Sequence, residues 1–324
     1  MQQITKRSRY HGAMLTLHAG DAAGAVYETK RGSYVQADLE CRGGLKLFDY
    51  IDPFKLKRQM PAGHPTDDSE LAAATAQAFM DAPYFDPEVH YQWLRRFITE
   101  RRTLLAKGEA YGTGGTLRRA LSEPTYMHSL AKFGRGEVRI VPSNGALMRI
   151  LPVALRYHGR TDEIVKYARW QSCITHMHPL SQAACIAYCV LVHHLLDGHG
   201  TQFAWDATRQ MLMQKPHVDI PEMSTVLDVD TSIPEQDEIW PNTGSALISF
   251  RIALWAALTA TDIHNGLTKA ISVGGDTDTY AAIAGGILGA RFGIEGMPEG
   301  WSERLIGREK MLELADGLYD LAHS

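Results

Sequence analysis

Apolar and polar positions along this chain repeat at helical spacing almost throughout. After Thr66, Leu71, Ala74, Thr75, Ala78 and Phe79 recur at i, i+3, i+4, i+7 and i+8, the stripe of a packed helix. Residues 181–196 read as a buried helix. Residues 246–258 read as another, with Leu247, Phe250, Leu254 and Leu258 on one side, and 305–321 close the chain with an amphipathic helix. No stretch sustains period-two alternation, and no Asn-Gly or Asp-Gly turn lies between β-rich runs. The pattern predicts an all-α fold.

Segments 30–63, 108–115, 122–142 and 198–243 are rich in Gly, Pro and charge and read as irregular. Several exceed the usual loop length, and long loops in a compact domain tend to carry function. No repeat, low-complexity tract or linker divides the chain, which reads as a single domain over residues 1–324. Ala281, Gly285 and Gly289 fall at i, i+4 and i+8, with Ala282, Gly286 and Ala290 beside them. Gly costs roughly 1 kcal/mol in a helix relative to Ala, so this stripe implies close approach of another helix backbone. That approach would draw the acidic segment preceding it into the centre of the bundle.

Composition changes this picture little. A hydrophobic fraction of 45% and a charged fraction of 22% are those of an ordinary globular protein. A net charge of −4 argues against general nucleic-acid binding, which needs a basic face. Cys41, Cys173, Cys185 and Cys189 are too few and too unevenly placed for a disulfide framework. The first twelve residues are polar and basic, His18 and Asp21 interrupt the next apolar stretch, and residues 281–290 are too short to cross a bilayer. The expectation is a reducing cytoplasm with neither membrane nor nucleic-acid partner.

Chemistry enters with two acidic clusters some two hundred residues apart, Thr66-Asp67-Asp68 and Gly274-Gly275-Asp276-Thr277-Asp278-Thr279. Each runs into an alanine-rich helical stretch. Hard carboxylate and hydroxyl oxygens suit Mg²⁺ or Mn²⁺ better than Zn²⁺. Either cluster alone serves equally well as an ordinary acidic helix start. An EF-hand is excluded by spacing: counted from Asp276, Ala281 stands where the loop needs Gly and Ile287 where it needs Glu. A site here has to be assembled from distant segments.

Asp21, Gly24 and Glu28 share one face at helical spacing among small residues. That setting desolvates a carboxylate toward general-base range, although Glu28 also fits a surface position at a helix C-terminus. Residues 142–149 read as a capped helix start whose free N–H groups could seat a phosphate. Gly112-Thr113-Gly114-Gly115-Thr116 could provide a second such seat, without the third glycine or the strand of a dinucleotide site, and both segments fit an ordinary cap or turn as well. Cys185, Cys189 and His193 would span about 12 Å on a helix, too far to share one ion, and read as core. His176 and His178 read as structural or capping. No nucleophile elbow is present, which favours a metal-activated water.

Together these motifs resemble the ADP-ribosylglycohydrolase family. The resemblance rests on Gly20-Asp21-Ala22-Ala23-Gly24 with Glu28, Thr66-Asp67-Asp68-Ser69, Asn144-Gly145-Ala146-Leu147-Met148-Arg149, Thr175-His176, Ala253-Leu254-Trp255-Ala256 and the Gly274–Thr279 cluster continuing through Ala281-Ala282-Ile283-Ala284-Gly285-Gly286 to Phe292-Gly293. Departures are Ser143 and Ser69, where the family carries Gly and Thr, and residues 242–249, which lack the usual Gly-Tyr-Val run.

The resemblance implies an all-α orthogonal bundle with a binuclear Mg²⁺ or Mn²⁺ centre in a central cleft. Thr66, Asp67, Asp68, Asp276, Asp278 and Thr279 fall on metal-ligand positions, and Glu28 on an acidic position implicated in catalysis, with Asp67 as a second candidate base. Gly112, Gly114, Gly115, Ser143, Asn144 and Gly145 match regions that hold the diphosphate, and His176 a position lining the ADP-ribose pocket. The implied reaction is hydrolysis of the bond between ADP-ribose and a protein side chain, arginine first. The other readings are an immunity protein of bacterial type that neutralises an ADP-ribosyltransferase toxin by hydrolysis or binding, and a metal-dependent nucleotide or phosphoester hydrolase.

Overall fold

The computed structural model describes residues 4–51, 59–100, 103–106, 112–214 and 220–324. Among these residues the chain forms seventeen α-helices and one short antiparallel ribbon, Tyr50–Ile51 with Gln59–Met60. In chain order the helices are α1 (Lys6–Gly24), α2 (Gly32–Cys41), α3 (Asp67–Asp81), α4 (Pro87–Thr99), α5 (Gly115–Ala120), α6 (Tyr126–Gly134), α7 (Leu151–Arg156), α8 (Thr161–Cys173) and α9 (Pro179–Leu196). They continue as α10 (Thr201–Met213), α11 (Met223–Leu227), α12 (Gln236–Ile239), α13 (Ala246–Thr259), α14 (Ile263–Ser272), α15 (Thr277–Phe292), α16 (Trp301–Arg304) and α17 (Arg308–His323). The all-α expectation holds.

The centre of the bundle is the antiparallel pair α1 and α15, the most extensive helix pairing among the described residues. They meet backbone to backbone through the small-residue stripe. A Cβ added at Gly20 would sit 2.1 Å from the carbonyl oxygen of Ala281, and one at Gly285 would sit 2.2 Å from that of Thr16. No side chain larger than hydrogen fits there. The Thr277 hydroxyl donates to the Gly24 carbonyl at 2.8 Å and locks the end of this pair. Helix α9 is the one helix among the described residues with the length and apolarity of a membrane span, and 83% of that window is buried inside the bundle. It is a core helix, in contact with α7, α8, α10 and α13.

Three of the segments read as irregular contain helices. Residues 30–63 include α2, 122–142 include α6, and 198–243 include α10, α11 and α12. These are mostly short and present only a few buried positions each, such as Val35 and Leu39 on α2 or Ser129 and Phe133 on α6. Their Gly, Pro and charged residues sit at the ends and outer faces, which hides a 3.6-residue period in a short window. Residues 108–111 lie outside the described residues. The capped helix start predicted at 142–149 is replaced by a 3₁₀ turn, Leu147–Arg149, whose N-cap Ala146 makes no side-chain bond. Asn144, expected to cap it, instead gives its side-chain amide to Asp276 and Ser249.

Candidate metal centre

Helix α3 begins at the site. Thr66 is its N-cap, and Asp67, Asp68 and Glu70 lie in the first turn, where the helix dipole favours negative charge. Thr66 and Ser69 both turn inward to Asp21, a fully buried carboxylate in the last turn of α1. The backbone N–H of Thr66 donates to Asp21 Oδ2 at 2.9 Å and its hydroxyl to Oδ1 at 2.7 Å. Ser69 adds its backbone N–H at 3.1 Å and its hydroxyl. Asp21 therefore anchors the start of α3 onto α1.

The second cluster reaches the same place from α15. A chain reversal at Gly274 and Gly275 is stitched to the segment after α1: Thr29 N–H donates to the Gly275 carbonyl, and Gly275 N–H to the Lys30 carbonyl, each at 2.8 Å. Glu28 is carried by that segment. Helix α1 tightens into a 3₁₀ turn over Ala25–Tyr27, so Glu28 stands just past the helix rather than on its regular face.

The two distant clusters meet. Carboxylate oxygens of Asp21, Asp68 and Asp278 lie within 4.8 Å of one another, and so do those of Glu28, Asp276 and Asp278. Asp278 belongs to both sets. Burial pushes the Asp68 and Asp278 carboxyls well above the usual range, and neighbouring acids add to it: Asp21 and Asp67 for the first, Glu28 and Asp276 for the second. Asp67 is pushed up to about 7, by burial first and then by Asp21. Asp21 and Asp276 are raised by burial against the bonds they accept.

These residues fit a divalent metal. The donors are carboxylates and hydroxyls, the hard oxygen set that Mg²⁺ and Mn²⁺ take. Asp68 Oδ1 is buried with no hydrogen-bond partner, an acceptor that a cation would satisfy. Thr66 and Thr279 are 7% and 4% exposed beside it. A cluster of this charge without a cation is costly, which is what the raised carboxyls report.

A cleft of about 780 Å³ opens over the centre. Every residue expected at the site lines it: Glu28, Thr66, Asp67, Asp68, Asp276, Asp278 and Thr279, together with Gly112, Gly114, Gly115, Ser143, Asn144, Gly145 and His176. Asn144 donates its amide to Asp276 at 2.7 Å and to Ser249 at 2.9 Å, which joins the 142–149 segment to the second cluster and to α13. His176 packs against Gly145, and burial holds its imidazole down to about 3, hence neutral. Gly112 has φ +72, and a Cβ there would meet Asp67 Oδ1 at 1.9 Å. His178 is a cap, its Nδ1 accepting from Leu180 N–H at 3.1 Å.

Asp21 and Ser249 are site residues that the sequence pattern alone does not assign. Asp21 leaves a readable signal, a carboxylate inside the small apolar run His18-Ala19-Gly20-Asp21-Ala22-Ala23-Gly24, where an unpaired charge would be costly. Ser249 leaves none. Trp240 and Thr243, at the end of the segment read as irregular, also form part of the cleft wall.

A family model described as ADP-ribosylglycohydrolase matches residues 2–324. The ADP-ribosyl-[dinitrogen reductase] glycohydrolase of Rhodospirillum rubrum is 28% identical over 303 residues, covering 91% of this chain and 89% of that protein. The ADP-ribosylarginine hydrolase Tri1 of Serratia proteamaculans is 26% identical over 314 residues, covering 96% and 79%. A solved structure described as an ADP-ribosylglycohydrolase-related protein complex superposes with a TM-score of 0.74 at 27% identity, over 98% of this chain and 99% of that one.

Proposed function

The chain belongs to the ADP-ribosylglycohydrolase family, enzymes that hydrolyse the glycosidic bond of ADP-ribose, and we propose that it removes ADP-ribose from a protein side chain, arginine first, at a binuclear Mg²⁺ or Mn²⁺ centre. The observation that carries this reading is the convergence of Asp68 and Asp278, from segments two hundred residues apart, around a buried carboxylate oxygen with no partner. Residues 1–324 serve as one domain of this type. Arginine comes first because the Serratia relative is an ADP-ribosylarginine hydrolase.

In this proposal Thr66, Asp67, Asp68, Asp276, Asp278 and Thr279 hold the ions, with Asp21 and Asn144 fixing the two halves of the set. Ions held there would supply positive charge for the ribose hydroxyls and would lower the pKa of water. Glu28, half-buried beside Asp276 and Asp278, takes the proton of the attacking water, and Asp67 is the second candidate for that role. The Gly112, Gly114 and Gly115 turn and the Ser143, Asn144 and Gly145 loop take the diphosphate through backbone N–H groups. His176, neutral and packed on Gly145, shapes the pocket wall without adding charge. The water oxygen bonds to the anomeric carbon as the bond to the side-chain nitrogen breaks, and the proton held by Glu28 is returned to the departing nitrogen, which yields free ADP-ribose and the unmodified side chain.

Four free thiols and a core without a disulfide are in keeping with a cytoplasmic setting. A transferase that installs the modification is the partner this activity presupposes, a cognate toxin being the case to examine by co-expression. The direct test incubates the protein with ADP-ribosyl-arginine protein and Mg²⁺. Release of ADP-ribose, with free ADP-ribose and simple nucleotides left intact, is the expected result. No release from arginine, serine or cysteine linkages would overturn the proposal.

A further inference from the structure

A second cluster of ligand-type side chains lies outside the lining of the cleft. His158 lies just beyond the last turn of α7, and His193 and Asp197 stand one turn apart at the C-terminal end of α9. His158 Nε2 is 3.2 Å from Asp197 Oδ1, and His193 Nε2 is 3.9 Å from Asp197 Oδ2. Ligand atoms of all three fall within 4.8 Å of one another. An ion that binds imidazole and carboxylate at about 2.0–2.2 Å in a tetrahedron spaces its ligands about 3–4 Å apart, and the two His–Asp separations, to the two oxygens of Asp197, are close to that.

The surroundings suit a cation. Burial lowers the imidazoles of His158 and His193 to about 4, so both are neutral at pH 7 and present a ligand lone pair. The C-terminal carbonyls of α9 favour positive charge at this point. Lys6, at the start of α1, already places an ammonium 3.0 Å from Asp197 Oδ1, on a side chain 48% exposed that can swing into solvent. His194 and His323 lie beside the cluster, with ring centroids 5.0 Å from His193 and 6.0 Å from His158. Besides the Lys6 ion pair, two existing contacts oppose coordination: His158 Nε2 is hydrogen-bonded to Asp197 Oδ1 at 3.2 Å and has to shift its proton to Nδ1, and Gly159 N–H reaches His193 Nδ1 at 3.4 Å. Binding through His193 Nε2 moves its proton to Nδ1 and gives up the long Gly159 bond.

We propose that His158, His193 and Asp197 form a site for one borderline divalent transition ion of the Zn²⁺ class, filled when Lys6 swings aside and completed by solvent. It is separate in place and in ligand chemistry from the carboxylate centre, since nitrogen donors select Zn²⁺ or Co²⁺ where Mg²⁺ prefers oxygen. Bound there, the ion would tie the end of α7 to the end of α9.

The experiment titrates Co²⁺ into the full chain in excess Mg²⁺ and reads the visible absorption of four-coordinate cobalt, with circular dichroism to establish that each variant keeps its helices. Wild type is expected to develop the bands. His193→Gln and Asp197→Asn should weaken binding by more than about 100-fold, beyond the roughly 10–100-fold scale on which outer partners of metal ligands act. Asp278→Asn should retain the bands, and Lys6→Ala should tighten binding by removing the competing ammonium. Absence of the bands in wild type, or wild-type titrations in both His193→Gln and Asp197→Asn, would overturn the proposal. The outcome is independent of whether the cleft hydrolyses ADP-ribosyl bonds.

Discussion

Asp21 takes both hydrogen-bond donors of Thr66: the backbone N–H reaches Oδ2 at 2.9 Å and the hydroxyl reaches Oδ1 at 2.7 Å. Through this pair a carboxylate buried in the central helix sets the first turn of α3, and with it the direction in which Asp67 and Asp68 point. The same helix packs its glycines against α15, which delivers Asp276 and Asp278. One helix thus positions both halves of the centre.

Asp21→Asn tests that relationship. The amide has the shape of the carboxylate but turns an NH₂ toward the donors of Thr66 and Ser69, which leaves buried groups unpaired. A loss of about 2–4 kcal/mol in urea unfolding is expected, together with weaker Mn²⁺ binding. A variant with the wild-type unfolding midpoint and wild-type Mn²⁺ affinity would show that Asp21 does not anchor α3.

The α1–α15 contact makes an equally specific demand. Gly20→Ala would press a methyl group to 2.1 Å from the Ala281 carbonyl, backbone against backbone. It should cost more than about 3 kcal/mol, the upper range for overpacking, because no side chain can yield. Gly134→Ala is the control, since a Cβ at Gly134 meets nothing within 4 Å. Thermal unfolding of the two variants should separate them clearly.

His90 gives the chain an acid-sensitive core position. Its ring stacks on Phe85 at 4.6 Å and meets Phe79 edge-on at 4.5 Å, and neither ring nitrogen has a hydrogen-bond partner. Burial lowers its pKa from 6.5 to about 3. Between those values the unfolded chain binds the proton and the folded chain does not, so stability falls as pH drops below about 6.5. At pH 5 the loss relative to pH 8 is about 2 kcal/mol for any folded pKa well below 5. His90→Phe should remove that increment, read as the pH dependence of the difference between wild type and variant. A difference that stays constant from pH 8 to pH 5 would contradict it.

Much of the site is legible in the sequence because its residues are chemically conspicuous. Paired carboxylates and hydroxyls at the starts of two alanine-rich helices are a hard-oxygen donor set, and Gly285 and Gly289, which follow Ala281 at i+4 and i+8, are unfavourable in a helix unless another backbone meets them. The strong apolar period of residues 66–79 and 181–196 likewise marks α3 and α9. Short helices such as α2, α6 and α11 are not legible, because each buries only two or three side chains and its polar face resembles a loop. Nor is the use of Asn144: Asn beside Ser and Gly reads as a local cap, and only the fold brings Asp276 and Ser249 to its amide. Asp21 lies between these cases. Its type and setting are visible, but its partners come from Thr66 and Ser69, more than forty residues away.

Calorimetric titration of Mn²⁺ into wild type, Asp67→Asn, Asp278→Asn and the double variant tests the central claim most directly. If the two acidic clusters hold one centre, each single variant loses most of the binding and the double variant is little worse than either, the non-additivity of residues that act as a unit. Two independent helix starts predict instead wild-type binding and small additive losses of stability, about 1 kcal/mol each. Wild-type-like Mn²⁺ binding by both single variants would contradict the shared centre.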